Sequence, residues 1–256
     1  MRKINLKGAN NSRDFGGITN KEGKEIRPFC FLRSNALHKL SEKDKKTLSE
    51  TYRLGTVIDL RTAIEKEGAP DILPEGTKFF HLPVFAEEVM GITHENNSDP
   101  KKMLDNLPDM CNLYKVMVTN EDCISQLRKI FEIISSSDGE RAVLWHCTQG
   151  KDRCGLVSAF LLFILEVDRE TVFEDYLKTN ETAKRKASLL RFLVKYYLRR
   201  PEDAECVYLV MQAQREYLDA ALTAIDETWG GMDCFIKNQL GISDEVREKM
   251  KERFLV

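Results

Sequence analysis

The segment that most restricts what this chain can become is AVLWHCTQGKDRCGLVSAFLLFILEV, residues 142 to 167. An apolar run of strand length comes first. A short polar stretch follows, with a glycine at 150, and then a mostly apolar stretch, GLVSAFLLFILEV, from 155 to 167. A wholly apolar strand feeding a wholly apolar helix leaves neither a face for water, so the strand belongs in a sheet covered on both sides. The helical stretch is too short to span a bilayer. Three more runs read as strands: CFLRS (30 to 34), TVIDLR (56 to 61) and KFFHLPV (78 to 84). Between them lie helix-like segments such as SEKDKKTLSETYRLG, with Ser41 and Asp44 at its start and Gly55 expected as its stop. The alternation predicts an α/β fold, a central parallel or mixed sheet flanked by helices, with further helices added toward the C-terminal end.

With no internal repeat or low-complexity linker, residues 1 to 256 read as one domain, and the polar stretch 85 to 120 as an insertion over one face. The net charge of -2 provides no global attraction for nucleic acid or membrane, so anion binding has to come from a local cluster. The start, MRKINLKGANNSRDFGG, lacks an apolar segment of signal-peptide length, which predicts a cytoplasmic protein. Seven cysteines, an odd number, read as reduced thiols. The four histidines and the cysteines show no metal-ligand spacing, so neither metal nor other cofactor is expected.

The polar stretch carries the chemistry. A strand ending in His146-Cys147, a turn at Gly150 and a helix opening near Cys154 gather backbone N–H groups around a point beside the Cys147 sulfur. The helix N-terminus adds partial positive charge there, and Arg153 can offer two parallel hydrogen bonds to phosphate oxygens. The same field lowers the thiol pKa and predicts a thiolate at Cys147. A thiolate in line with a bound phosphoryl group is a nucleophile for transfer through a phosphocysteine. Thr148, Gln149, Gly150 and Lys151 are then the substrate-binding positions, and His146 is expected to hydrogen-bond the loop backbone. The pattern arises by chance in well under about 1% of chains this long. None of the other six cysteines has an arginine six residues on.

HCTQGKDRCG resembles the H-C-x5-R active-site loop of the cysteine-dependent tyrosine phosphatases, and more narrowly the H-C-x-x-G-K-D-R-T-G form of the bacterial tyrosine and lipid phosphatases. NNSRDFGG (10 to 17), LRSNAL (32 to 37), VIDLRTAIE (57 to 65) and the tail from Tyr217 to Leu255 match that family's other blocks in order. Asn11-Ser12 and Cys154 depart from its pattern, Cys154 replacing a hydroxyl residue. The resemblance implies a tyrosine-phosphatase-like fold and hydrolysis of phosphotyrosine, with phosphoserine, phosphothreonine or phosphoinositide as further substrates. It points to Asp152 as the general acid and base, and to residues 180 to 205 as a helical lid. Alternatives are a phosphoinositide phosphatase as the main activity, or a catalytically silent phosphate-binding module.

The neighbours have simpler readings as well. Asp152 suits the first turn of a helix. Asp59, at a strand end, is the alternative acid; Arg61 and Glu65 suggest a structural ion pair, and Arg13 and Asp14 another holding a turn. Lys151 can meet a second phosphate or simply face water. The resemblance implies that residue 154 stands where that family keeps a hydroxyl hydrogen-bonded to the nucleophile's sulfur, and a thiol is a weaker donor. Leu189, Leu190, Phe192, Leu193, Tyr196 and Tyr197 form a helical stripe that reads as core.

Overall fold

The computed structural model describes residues 2–85, 104 and 107–256. A mixed sheet forms the centre, built from β1 (Arg2–Lys3), β2 (Arg13–Asp14), β3 (Phe31–Asn35), β4 (Leu54–Asp59), β5 (Lys78–His81) and β6 (Ala142–Cys147). Its order is β1-β2-β3-β6-β4-β5. The strands from β3 to β5 are parallel, while β1 and β2 pair antiparallel at the edge. The two edge strands escape a reading based on apolar runs because each has only two residues, both charged.

Alternation along the strands divides the core in two. Phe31, Ile58, Val143 and Trp145 face the larger cluster, whereas Leu32, Val57 and Leu144 face a smaller one with Ile4, Leu6 and Leu48. α1 (Glu42–Lys46) starts at a capping box between Ser41 and Asp44, then widens into a π turn over Thr47–Thr51. The expected stop at Gly55 is wrong: the helix ends earlier, and Gly55 lies inside β4. A Cβ there would sit 2.6 Å from the Arg141 side chain, so the glycine serves strand packing. α2 (Ala63–Gly68) begins at a second capping box, Thr62 with Glu65.

α3 (Met110–Thr119) and α4 (Glu121–Ser136) place Tyr114, Leu127, Ile130 and Phe131 in the large core. The reading of 85 to 120 as an insertion therefore fails at its C-terminal end. Residues 86–103, 105 and 106 of that stretch lie outside the described residues. α5 (Asp152–Ile164) is buried on nearly every side, as its unbroken apolar sequence requires. After it come α6 (Arg169–Leu177), α7 (Asn180–Phe192), α8 (Pro201–Val210), α9 (Arg215–Trp229), α10 (Met232–Cys234) and α11 (Asp244–Phe254). Among the described residues no helix is long and apolar enough to cross a membrane.

Candidate active site

The central strand β6 ends at Cys147 and α5 begins at Asp152, so residues 148 to 151 form a tight loop at the carboxyl ends of the parallel strands. The rest of the molecule holds this loop by its carbonyls. Ala36 N–H donates to the Thr148 carbonyl at 3.3 Å. Asn11 Nδ2 donates to the carbonyls of Gln149 and Gly150 at 2.9 and 3.1 Å. Arg33 Nη2 donates to Gly150 at 2.8 Å and to Lys151 at 3.5 Å. Among the described residues, the amides of Thr148 to Arg153 donate to no protein acceptor. A loop whose carbonyls all bond outward leaves its amides for an anion on the concave side. Gly150 is required for this path: its φ is 66°, and a Cβ would lie 2.6 Å from the Ser34 carbonyl oxygen.

Cys147 sits in that concavity, 2% exposed. Its pKa is lowered to about 5, chiefly by a hydrogen bond from the Cys154 thiol, with help from the Arg153 charge and the Cys154 amide against the opposing effect of burial. Cys154, fully buried, is held protonated by its apolar surroundings and by the neighbouring thiolate. The Cys154 thiol also lies within donor reach of the Ser34 and Trp145 carbonyls, at 3.5 and 4.0 Å, so those oxygens compete with the Cys147 sulfur for its one proton.

Arg153 turns its guanidinium to Glu65, Nη1 to Oε2 at 2.5 Å and Nη2 to Oε1 at 2.8 Å. That fork leaves the Nε–H edge for an anion. Burial pushes the Glu65 carboxyl up, yet the Arg153 bonds and charge and the Thr148 hydroxyl overrule it and hold the group at about 2. The same carboxylate accepts from the Thr62 backbone N–H as part of its capping box, so one residue caps α2 and orients the arginine. The expected Arg61–Glu65 pair does not form. Arg61 goes instead to Asp59 and Asp71, at 2.8 and 2.9 Å.

Asp152 occupies the first position of α5 without capping it, and is a quarter exposed on its side chain. Tyr114 donates to its Oδ1 at 2.8 Å, and the Tyr176 hydroxyl lies 2.8 Å from that of Tyr114. Burial and the Asp152 charge keep Tyr114 far above its ordinary range, so it remains a donor. Oδ2 has no protein partner among the described residues, and the side chain keeps a quarter of its surface exposed.

Several expectations need correction. His146 does not reach the loop backbone: its Nε2 lies 2.9 Å from Asp71 Oδ2, because strand alternation turns residue 146 to the face opposite Cys147. Asp59 is fully buried and engaged by both Nε and Nη2 of Arg61, which removes it as an alternative acid. Asp59, Asp71 and His146 cluster closely, and Arg61 supplies their countercharge. Lys151 neither faces water nor points freely to substrate: its ammonium donates to the carbonyls of Val210 and Gln212 and lies 3.4 Å from Asp152. Arg13 and Asp14, adjacent in a strand, point apart. Arg13 donates to Thr179 Oγ1, and Asp14 accepts from the amides of Gly16 and Phe29.

Asn11, Arg33, Glu65, Tyr114, Tyr176 and Asp175 support the site; spacing offers Glu65 only as a partner of Arg61 and assigns none of the others a part in it. Asp175 anchors Arg33 at 2.8 Å, fixing the cation that carries the loop. A buried arginine in an apolar strand, as in CFLRS, was the available signal, since such a charge always needs a partner. Beside the loop lies a cleft of about 400 Å³ with Lys7, His38, Lys39, Lys151 and Lys186 in its wall and no carboxylate.

The chain shares 26% identity over 277 residues with the triple specificity protein phosphatase PtpB of Mycobacterium tuberculosis, covering 96% of each. It shares 26% over 242 residues with a tyrosine-protein phosphatase of Nostoc commune, covering 88% of this chain and 74% of that one. Among solved structures, the core catalytic domain of the PP-IP phosphatase SIW14 from S. cerevisiae aligns at a TM-score of 0.39 and 15% identity, over 68% of this chain and 78% of that one. The model of the tyrosine phosphatase family matches residues 4–256, nearly the whole chain, and the protein belongs to that family.

Proposed function

We propose that the protein hydrolyses phosphate monoesters, phosphotyrosine foremost, by covalent transfer to Cys147. The thiolate attacks phosphorus, the P–O bond to the leaving group breaks, and Asp152 gives that oxygen its proton. Water then attacks the phosphocysteine, Asp152 takes a proton from it, and the thiolate leaves with phosphate released. Arg153 and the amides of residues 148 to 153 hold the equatorial oxygens as charge spreads over them. The observation that carries this reading is the loop itself, its carbonyls tied outward and its amides unpaired around a thiol lowered to about 5.

The lysines of the cleft wall whose ammonium groups are not tied inward, Lys7, Lys39 and Lys186, favour a second substrate class, multiply phosphorylated headgroups such as phosphoinositides. The name of the Mycobacterium tuberculosis relative, a triple specificity protein phosphatase, supports more than one substrate class. The test is phosphate release by the purified chain from p-nitrophenyl phosphate, phosphotyrosine, phosphoserine and phosphothreonine peptides, and phosphoinositides. Cys147→Ser and Arg153→Ala abolish release on every substrate, and the serine variant still binds vanadate. Absence of turnover in the native protein, with anion binding intact, would make the loop a silent phosphate-binding module.

A further inference from the structure

The apolar pattern of α7 and the π turn that continues it over Leu193–Tyr197 is double. Leu190, Val194 and Leu198 face inward, in a small cluster with Ala204 and Val207 of α8. A second set, Leu189, Phe192, Leu193, Tyr196 and Tyr197, recurs at i, i+3, i+4, i+7 and i+8 and stands in solvent, between 40% and 80% exposed. Five large apolar or aromatic side chains on one helical face are costly to leave in water and are not core. This overturns the reading of the stripe as core: of its six residues only Leu190 packs inward.

The charge around the stripe is one-sided. From Thr182 to Pro201 the chain carries seven Lys or Arg and no Asp or Glu. Arg191 is matched by Glu205, Arg200 by Asp203, and Lys195 lies over the Tyr196 ring. Lys184, Arg185, Lys186 and Arg199 have no carboxylate partner among the described residues.

We propose that this face docks the protein on an anionic lipid surface, with the stripe in the headgroup region and the flanking cations against lipid phosphates. A helix with Leu, Phe and Tyr on one side and Lys and Arg beside them is the form that lies in a membrane interface. Tyrosine is suited to that depth, its ring in the apolar zone and its hydroxyl in the wet one. A second copy of this chain is a poor occupant, since a two-fold contact would press one set of these cations against the other. Docking also places the site. Thr182, Ala183 and Lys186, in the first turns of the same helix, line the cleft beside Thr148 and Gln149, so the cleft comes to lie next to the bilayer surface.

The proposal stands apart from the catalytic reading because binding is measured without turnover. The full chain is sedimented with vesicles of phosphatidylcholine alone and of phosphatidylcholine with phosphatidylserine. It binds the second and not the first, and binding weakens as salt is raised. A combined Phe192→Ser, Tyr196→Ser and Tyr197→Ser variant loses about tenfold or more in partitioning, as does Arg185→Glu with Arg199→Glu. All five positions are exposed, so thermal midpoint and turnover of p-nitrophenyl phosphate stay at native values. The proposal falls if the native chain ignores the anionic vesicles, binds neutral ones equally well, or is matched by the triple serine variant. It falls too if the native chain is a dimer that this variant turns into a monomer, which would make the face a contact between copies.

Discussion

Glu65 is the residue whose replacement best tests how the site is assembled. Glutamine is the informative substitution, because it keeps the capping-box acceptor for Thr62 while removing the charge opposite Arg153. The native carboxyl is held at about 2 rather than 4.5, a displacement of about 2.5 pKa units, or about 3 kcal/mol of stabilisation at neutral pH. The side chain is 22% exposed, so solvent screening trims this only modestly. The sign follows from the depressed pKa. The contribution is fully present above the unfolded value near 4.5 and is lost as pH falls through about 2. Urea unfolding should therefore separate native protein and Glu65→Gln by about 2–3 kcal/mol at pH 7 and by about half that at pH 3. A gap under about 1 kcal/mol at pH 7, or one of equal size at both pH values, would refute the claim that this ion pair organises the arginine.

Asp152→Asn should lower kcat about 10²-fold or more on phenyl phosphate, a poor leaving group, and much less on p-nitrophenyl phosphate; equal small losses on both would return Asp152 to a purely structural role. Reactivity of Cys147 toward iodoacetamide should rise as pH climbs through about 5, because only the thiolate attacks. Cys154→Ala, which removes the first donor to that sulfur, should move the rise to higher pH, and Cys154→Thr should restore it; superimposable profiles for all three proteins would show that Cys154 does not stabilise the thiolate.

The sequence by itself determined the parts of this protein that are contiguous. The apolar run before His146 and the apolar helix after Cys154 admit only a buried strand and a buried helix, and the polar turn between them must then sit at the end of a sheet. Nucleophile, arginine, acid and the glycine of the turn share one stretch of chain, so their chemistry could be read from spacing. β3, β4 and β6 were legible for a similar reason, since a strand covered on both faces is apolar throughout, whereas β5 showed only through its run of aromatic residues and lies exposed at the sheet edge.

Only the tertiary structure decided what supports that stretch. Asn11, Arg33 and Ala36 hold the loop carbonyls from two other strands and their connections, and Glu65 and Tyr114 reach Arg153 and Asp152 from 88 and 38 residues away. A carboxylate four positions from an arginine gives no sign that its partner is another arginine far along the chain. Geometry also separated Arg13 from Asp14, sent His146 to Asp71, and withdrew Lys151 to carbonyls at the C-terminal end of α8. The stripe on α7 shows the limit most plainly: helical spacing identifies a face, but α8 covers the neighbouring face instead, and that packing left the aromatic side in water.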